Sequence, residues 1–83
     1  MRVEYLDDSH SVLYDNTGKI LLAHKTRILA ITYKDSKVYL DARYWNWSSE
    51  TGKHRDEFLH ETIVVTRRKI ADGTYELIDL SGD

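Results

Sequence analysis

The chain has 83 residues, a net charge of −2 at pH 7 and a sequence pI near 6.0. This length fits one domain over residues 1–83, and a domain of this size buries about 60–65% of the surface that its unfolded chain exposes. The mild acidity excludes a polycation built for nucleic acid and equally a strongly acidic nucleic-acid mimic. No cysteine is present, so disulfides, thiolate metal sites and thiol nucleophiles are excluded.

The sequence contains no apolar run near the roughly 20 residues that a membrane span requires. Its first eight residues include acids where a signal peptide would be apolar. We therefore expect a cytoplasmic protein without a membrane partner.

Turn-forming residues divide the first half of the chain into short strands. Asn16 and Gly18 tolerate a positive φ, and they mark the first of these turns. The predicted turns are residues 15–18, 24–26 and 34–37. The strands that they separate are residues 11–14, 20–22 and 27–33, the last two being either two strands or one bent strand.

Residues 38–44 alternate with a period of two, which is typical of a half-buried strand. One face carries Val38, Leu40, Ala42 and Tyr44, and the other carries Tyr39, Asp41 and Arg43.

A short helix is predicted near residues 50–60. Trp47, Thr51, His54 and Phe58 recur at i, i+4, i+7 and i+11, which places them on one helical face. Ser48, Ser49 or Thr51 can supply the N-cap oxygen, and Gly52 in the interior would be unfavourable, so we expect the helix to begin near Gly52.

The C-terminal part is predicted to be a β-hairpin. Residues 62–70 are rich in β-branched side chains, Asp72 and Gly73 form a turn, and residues 74–80 return as the last strand, with residues 81–83 frayed. The expected fold class is α+β, an antiparallel meander of about 5–6 strands with one short helix and a C-terminal hairpin.

The helical segment carries a distinctive motif, Trp47-Ser48-Ser49-Glu50-Thr51-Gly52-Lys53-His54, followed by Phe58-Leu59. It resembles a group of small bacteriophage proteins of unknown function, with the pattern aromatic-Ser-x-Thr-Thr-x-x-His-x-x-x-Phe-Leu. Of the two consecutive threonines in that pattern, this chain has one, at Thr51. Upstream, residues 24–30 are similar in spacing to a strand of the same group. The resemblance covers the middle half of the chain. It implies an accessory phage protein that acts on host machinery in the host cytoplasm, and it implies no chemistry.

Aromatic and basic side chains supply the candidate partner-binding site. In a domain with two tryptophans and one phenylalanine, some aromatics must form the core. We assign this role, a clamp between helix and sheet, to Tyr44, Trp47, Thr51, His54 and Phe58. Trp45 points away from Tyr44 on a strand, so we expect it to be exposed. The predicted partner-binding residues are Tyr39, Arg43, Trp45, Arg67 and Arg68.

The run Arg67-Arg68-Lys69 has two interpretations. On a strand, Arg67 and Lys69 would share one side, where they would discourage edge-to-edge pairing. The alternative is contact with phosphates or with an acidic protein.

Metal and catalytic sites are not predicted. His54 and His60 are six residues apart, so they lie on different faces of a helix and lack the i, i+4 spacing of a helical zinc pair. Glu57 and His60 have the spacing of a di-iron ligand pair, but such a site needs several helices. No phosphate loop, nucleophile elbow or kinase motif is present. We therefore expect no enzymatic activity, no metal and no cofactor.

Two functions are weighed at this level, and a structural role in the virion also remains open. The favoured one is a phage protein that occupies the surface of a host or defence protein and inhibits it without catalysis. The alternative is a module that binds single-stranded nucleic acid through an aromatic and arginine-bearing sheet face. Exposed strand edges make a homodimer an additional expectation.

Overall fold

The structure is a computed structural model, and it describes residues 1–80. The expected fraying of residues 81–83 lies outside the described residues. The strands are β1 (Arg2–Tyr5), β2 (His10–Tyr14), β3 (Gly18–Ala23), β4 (Thr26–Thr32), β5 (Val38–Asp41) and β6 (Tyr75–Ile78). The helices are α1 (Ser49–Leu59) and α2 (Ile63–Ala71), which both lie between β5 and β6 in the sequence.

All six strands form one sheet in chain order, and the fold is α+β as predicted. β1 to β5 form an antiparallel meander, and β6 pairs with β5 in parallel. The predicted C-terminal hairpin is therefore wrong, because the segment expected to precede β6 as a strand is helical. A parallel neighbour requires a long crossover, and α1 and α2 supply it.

The second helix was read as a strand because Ile63, Val64 and Val65 are β-branched. Its packing follows a helical period instead, with the buried Thr66 three residues after Ile63 and Ile70 four residues further on. Arg68 and Lys69 lie in the last turn, where their positive charges interact favourably with the helix dipole.

A buried network fastens α2 to β6 around Glu61. The Thr66 hydroxyl donates to Glu61 Oε2 at 2.6 Å, and the Tyr75 hydroxyl and Lys69 ammonium donate to Glu61 Oε1 at 2.6 and 3.0 Å. Burial alone would raise the pKa of Glu61, but these hydrogen bonds and the Lys69 charge outweigh it and lower that pKa.

The strand β5 ends earlier than the sequence indicates. Asp41 is 1% exposed, and its Oδ2 accepts the backbone N–H groups of Arg43 and Tyr44 at 3.1 and 2.9 Å. Its Oδ1 accepts the N–H of Leu80 at 2.9 Å. The Asp41 carboxylate therefore turns the chain out of the sheet and also anchors the segment after β6.

The core lies on one face of the sheet. Its buried residues include Val12, Leu21, Leu29 and Leu40, which are aligned across β2 to β5. Phe58 and Leu59 of α1 and Ile70 of α2 pack against this cluster. Both helices thus cover the same face.

Candidate functional site

A group of polar side chains joins the first turn of the sheet to α1. In the turn between β1 and β2, Asp7 Oδ1 accepts the backbone N–H groups of Ser9 and His10 at 2.8 and 2.7 Å. These two hydrogen bonds orient the Asp7 carboxylate toward the start of β2. The side chain of His10 lies there, on the core side of the sheet.

His10 is 3% exposed, and both of its ring nitrogens have partners. Nδ1 lies 3.0 Å from Asp7 Oδ1, and Nε2 lies 3.0 Å from the hydroxyl oxygen of Thr51. Thr51 comes from α1, whose N-cap residue Ser48 donates its hydroxyl to Thr51 Oγ1 and accepts the Thr51 N–H, both at 3.1 Å. The helix cap is thereby continuous with the buried imidazole.

His54 approaches the same carboxylate from one turn further along α1. Its Nε2 lies 2.7 Å from Asp7 Oδ2, and the rings of His54 and His10 are 4.5 Å apart between centroids. Hydrogen bonds from His54, Ser9 and His10 lower the pKa of Asp7 far below its ordinary value. The Nδ1 atom of His54 is buried and makes no hydrogen bond within the described chain. We call Asp7, His10 and His54 the histidine cluster.

The line from Thr51 through His10 to Asp7 has the order of a hydroxyl–imidazole–carboxylate triad. A nucleophile must reach a substrate, however, and Thr51 is 1% exposed. In this conformation its hydroxyl faces His10 and Ser48, so the geometry favours a structural role for the hydroxyl. The cluster also offers three metal-donor atoms that all lie within 4.8 Å of one another.

A cleft of about 360 Å³ opens beside Asp7 and His10, between the β1–β2 turn and the β3–β4 turn. Tyr5, His10 and His24 lie on its walls. The His24 ring is exposed, and its centroid lies 6.3 Å from that of His10. Three of the four histidines therefore gather at this end of the sheet, and solvent has access to it.

Trp45 does not take the exposed position predicted for it. It is half-buried, packs against the core and lies over Arg55, whose Cζ is 5.3 Å from the Trp45 ring centroid. Arg55 is itself 2% exposed. Its Nη1 donates to the Trp45 carbonyl at 3.1 Å and to Asn46 Oδ1 at 3.0 Å, and its Nη2 donates to Asp56 at 3.0 Å. The Arg55 guanidinium thus supports the loop between β5 and α1.

Trp47 does not take the core position predicted for it. It is 59% exposed, and its ring meets the ring of Tyr44 edge-on with 5.0 Å between centroids. The alternation of side chains between the two faces of a strand does not extend to Trp45 and Trp47, because β5 ends at Asp41. Of the other proposed clamp residues, Thr51 contacts His10 and His54 contacts Asp7. Tyr44 and Phe58 pack against the core.

The predicted partner-binding residues do not form one patch. Tyr39 is half-buried on β5, and Arg43 is exposed in the loop that follows. Arg67 and Arg68 are exposed on α2, so the predicted alternation of Arg67, Arg68 and Lys69 along a strand is wrong. Tyr39 belongs to the sheet face opposite the core, whereas α2 packs on the core side.

That opposite face carries an unbroken apolar row. The pairing register aligns Val3, Leu13, Ile20, Ala30 and Tyr39 across β1 to β5. Leu13, Ile20, Ala30 and Tyr39 are half-buried and alternate with the buried core residues of their strands. Leu22 lies beside Ile20 on the same side. We call these six residues the open face.

Sequence reasoning missed both Asp7 and His10 as site residues. Ligand spacings within one helix do not reveal this cluster, because it joins a turn to His54 of α1, which lies 47 positions after Asp7. The sequence signal was Asp7-x-x-His10 directly before a strand.

The chain matches no protein-family model, no curated protein and no solved structure. Among residues 1–80, no helix combines the length and the apolar character needed to cross a membrane.

Proposed function

We propose that this chain is a non-catalytic protein-binding module that uses the open face to occupy the surface of another protein. The observation that carries the proposal is the apolar row of Val3, Leu13, Ile20, Ala30 and Tyr39. Neighbouring strands are about 4.8 Å apart, so the row extends for roughly 20 Å. A contiguous apolar surface of this kind on a water-facing sheet marks an interaction site.

The charges around the open face favour a protein partner over nucleic acid. Lys37 and Glu76 beside Tyr39 form an ion pair at 3.0 Å, so they offset each other. Arg27, which is aligned with Leu22, is exposed. Binding to a nucleic-acid backbone needs several phosphate contacts, and Arg67 and Arg68 lie on α2 away from this face. The expected partner has an apolar contact surface with acidic groups at its rim.

The wider role that we propose is that of a phage accessory protein acting on a host or defence protein. The resemblance of the segment from Trp47 to Leu59 to small phage proteins supports this context. Occupation of a surface without chemistry agrees with the burial of the Thr51 hydroxyl.

Affinity capture from a host lysate, with and without nuclease, tests the proposal. We expect a stoichiometric protein that survives nuclease, is lost with Ile20→Lys and is retained with Val64→Lys. Val64 is 64% exposed on α2, so its variant adds the same charge on the other side of the molecule. Circular dichroism checks that both variants fold.

Two outcomes would overturn the proposal. Captured material that disappears on nuclease treatment would assign the chain to the nucleic-acid-binding class. A purified chain that forms a dimer through the open face and captures no other protein would assign that face to self-association.

A further inference from the structure

We propose that the histidine cluster binds a divalent transition-metal ion of the Zn²⁺ type. The ligands would be one carboxylate oxygen of Asp7, Nδ1 of His10 and Nε2 of His54. This site is independent of the open face.

The donor atoms are already close to the spacing that a metal requires. Asp7 Oδ1 lies 3.0 Å from His10 Nδ1, and Asp7 Oδ2 lies 2.7 Å from His54 Nε2. Tetrahedral zinc with bonds of about 2.0–2.1 Å places its ligands about 3.3 Å apart. The two carboxylate–imidazole distances are within a few tenths of an ångström of this spacing, and all three donor atoms lie within 4.8 Å of one another.

The chemistry of the donors selects the class of metal. Two imidazoles and one carboxylate suit zinc, nickel, cobalt or copper, whereas calcium and magnesium prefer sites made wholly of oxygen ligands. Three protein ligands leave a fourth position for water. Asp7 and His10 line the cleft of about 360 Å³, whose wall also carries His24.

The hydrogen bond between His10 Nε2 and the Thr51 hydroxyl, which we call the outer contact, already holds the His10 ring in the orientation that metal binding requires. When Nδ1 binds the metal, the proton resides on Nε2 and is donated to Thr51 Oγ1, which lies 3.0 Å away. A hydrogen bond from the second ring nitrogen to a fixed acceptor is the usual support of a metal-binding histidine. Ser48 fixes the Thr51 hydroxyl in turn.

His54 is the ligand that α1 would contribute. One of its ring nitrogens contacts Asp7, and the other, Nδ1, is buried without a hydrogen-bond partner among residues 1–80. A purely hydrogen-bonding role therefore leaves a buried nitrogen unsatisfied, at a cost in free energy. Coordination through Nε2 leaves Nδ1 equally without a partner, so what favours the ion is the convergence of the three donor atoms within 4.8 Å of one another.

Isothermal titration of the purified chain with Zn²⁺, and absorption spectroscopy with Co²⁺, test the site. We expect one ion per chain, and for Co²⁺ the intense visible bands of four-coordinate geometry. His54→Gln and Asp7→Asn should each weaken Zn²⁺ binding at least about tenfold, and Thr51→Val should weaken it by a similar factor through loss of the outer contact.

His60→Asn is the matched control. His60 is the histidine outside this end of the sheet, and it ends α1 with a φ of 56°, a conformation that asparagine also tolerates. Its Zn²⁺ affinity should equal that of the unmodified chain. Absence of stoichiometric Zn²⁺ binding in the unmodified chain would overturn the proposal, as would equal affinity in His54→Gln. The Co²⁺ spectrum of the unmodified chain decides the matter if the variants fail to fold.

Discussion

Nε2 of His54 lies 2.7 Å from the carboxylate of Asp7, although 47 positions separate the two residues in the chain. This contact, with the one between His10 and Thr51, docks the first turns of α1 on the end of the sheet where β1 and β2 meet. α1 supplies Thr51, His54 and the cap residue Ser48 to this junction, so each of these positions has a physical role.

Thr51→Val should destabilise the fold by about 1–3 kcal/mol, because it keeps the shape of the side chain but leaves the buried Nε2 of His10 without a partner. Urea unfolding at neutral pH measures the change. Thr51→Ser keeps the hydroxyl and should lose less. Equal stability of the valine variant and the unmodified chain would show that the contact between His10 and Thr51 contributes nothing.

Gly18→Ala should be among the most damaging substitutions in the sheet. A Cβ atom at Gly18 would lie 2.0 Å from the carbonyl oxygen of Ile31, and a backbone atom cannot move away without disrupting the pairing of β3 and β4. We expect a loss of about 2–4 kcal/mol in the free energy of unfolding.

Gly73→Ala is the comparison for Gly18→Ala. Gly73 has a φ of 86° and nothing within 4 Å of the added Cβ, so the cost is conformational and about 1–2 kcal/mol. If the two alanine variants were equally stable, the close approach of β4 to Gly18 would be contradicted.

Trp45 and Trp47 should differ sharply in their contributions to stability. Trp45→Ala removes packing against the core and the surface on which Arg55 lies, and we expect a loss of about 3 kcal/mol or more. Trp47→Ala removes a side chain that is 59% exposed, and its loss should stay below about 1 kcal/mol. Thermal unfolding of both variants measures the two losses of stability. A larger loss for Trp47→Ala than for Trp45→Ala would show that Trp47, and not Trp45, packs in the core.

The Glu61 network makes stability depend on acid pH. The folded-state pKa of Glu61 is lowered from the ordinary 4.5, so its ionised form stabilises the fold above that value. This contribution is lost as the pH falls through the lowered pKa. Glu61→Gln should therefore be less stable than the unmodified chain at neutral pH, and the difference should shrink as the pH falls below 4.5.

Urea unfolding across that pH range gives the two profiles. Glu57→Gln, on the exposed side of α1, is the matched control and should follow the unmodified chain. A constant difference between Glu61→Gln and the unmodified chain at all pH values would contradict the assignment.

Local signals in the sequence were sufficient for the presence of β2 to β5 and of α1, although α1 begins at Ser49 and not near Gly52 as predicted. Turns at Asn16–Gly18 and His24–Lys25 interrupt the apolar runs, and Ser48 with its side-chain oxygen begins α1 as one of the predicted caps. Strand β1 was missed because Arg2–Tyr5 is exposed along its whole length and carries no core pattern.

The C-terminal half depended on tertiary contacts that no local pattern shows. The turn at Asp72 and Gly73 was predicted correctly, yet the segment before it is helical because Thr66 and Lys69 bind Glu61 and Ile70 packs on the core. The histidine cluster could not be predicted either, since nothing in the spacing of Asp7, His10 and His54 indicates that α1 folds back onto the first turn.

The most direct test of the open face is photo-crosslinking in cells that express the chain. The photoreactive residue p-benzoylphenylalanine would replace Tyr39 in one variant and the exposed Val64 on α2 in another. We expect Tyr39→p-benzoylphenylalanine to give a discrete crosslink to another protein and the Val64 variant to give none. A crosslink from Val64 alone, or to nucleic acid from Tyr39, would contradict protein binding through the open face.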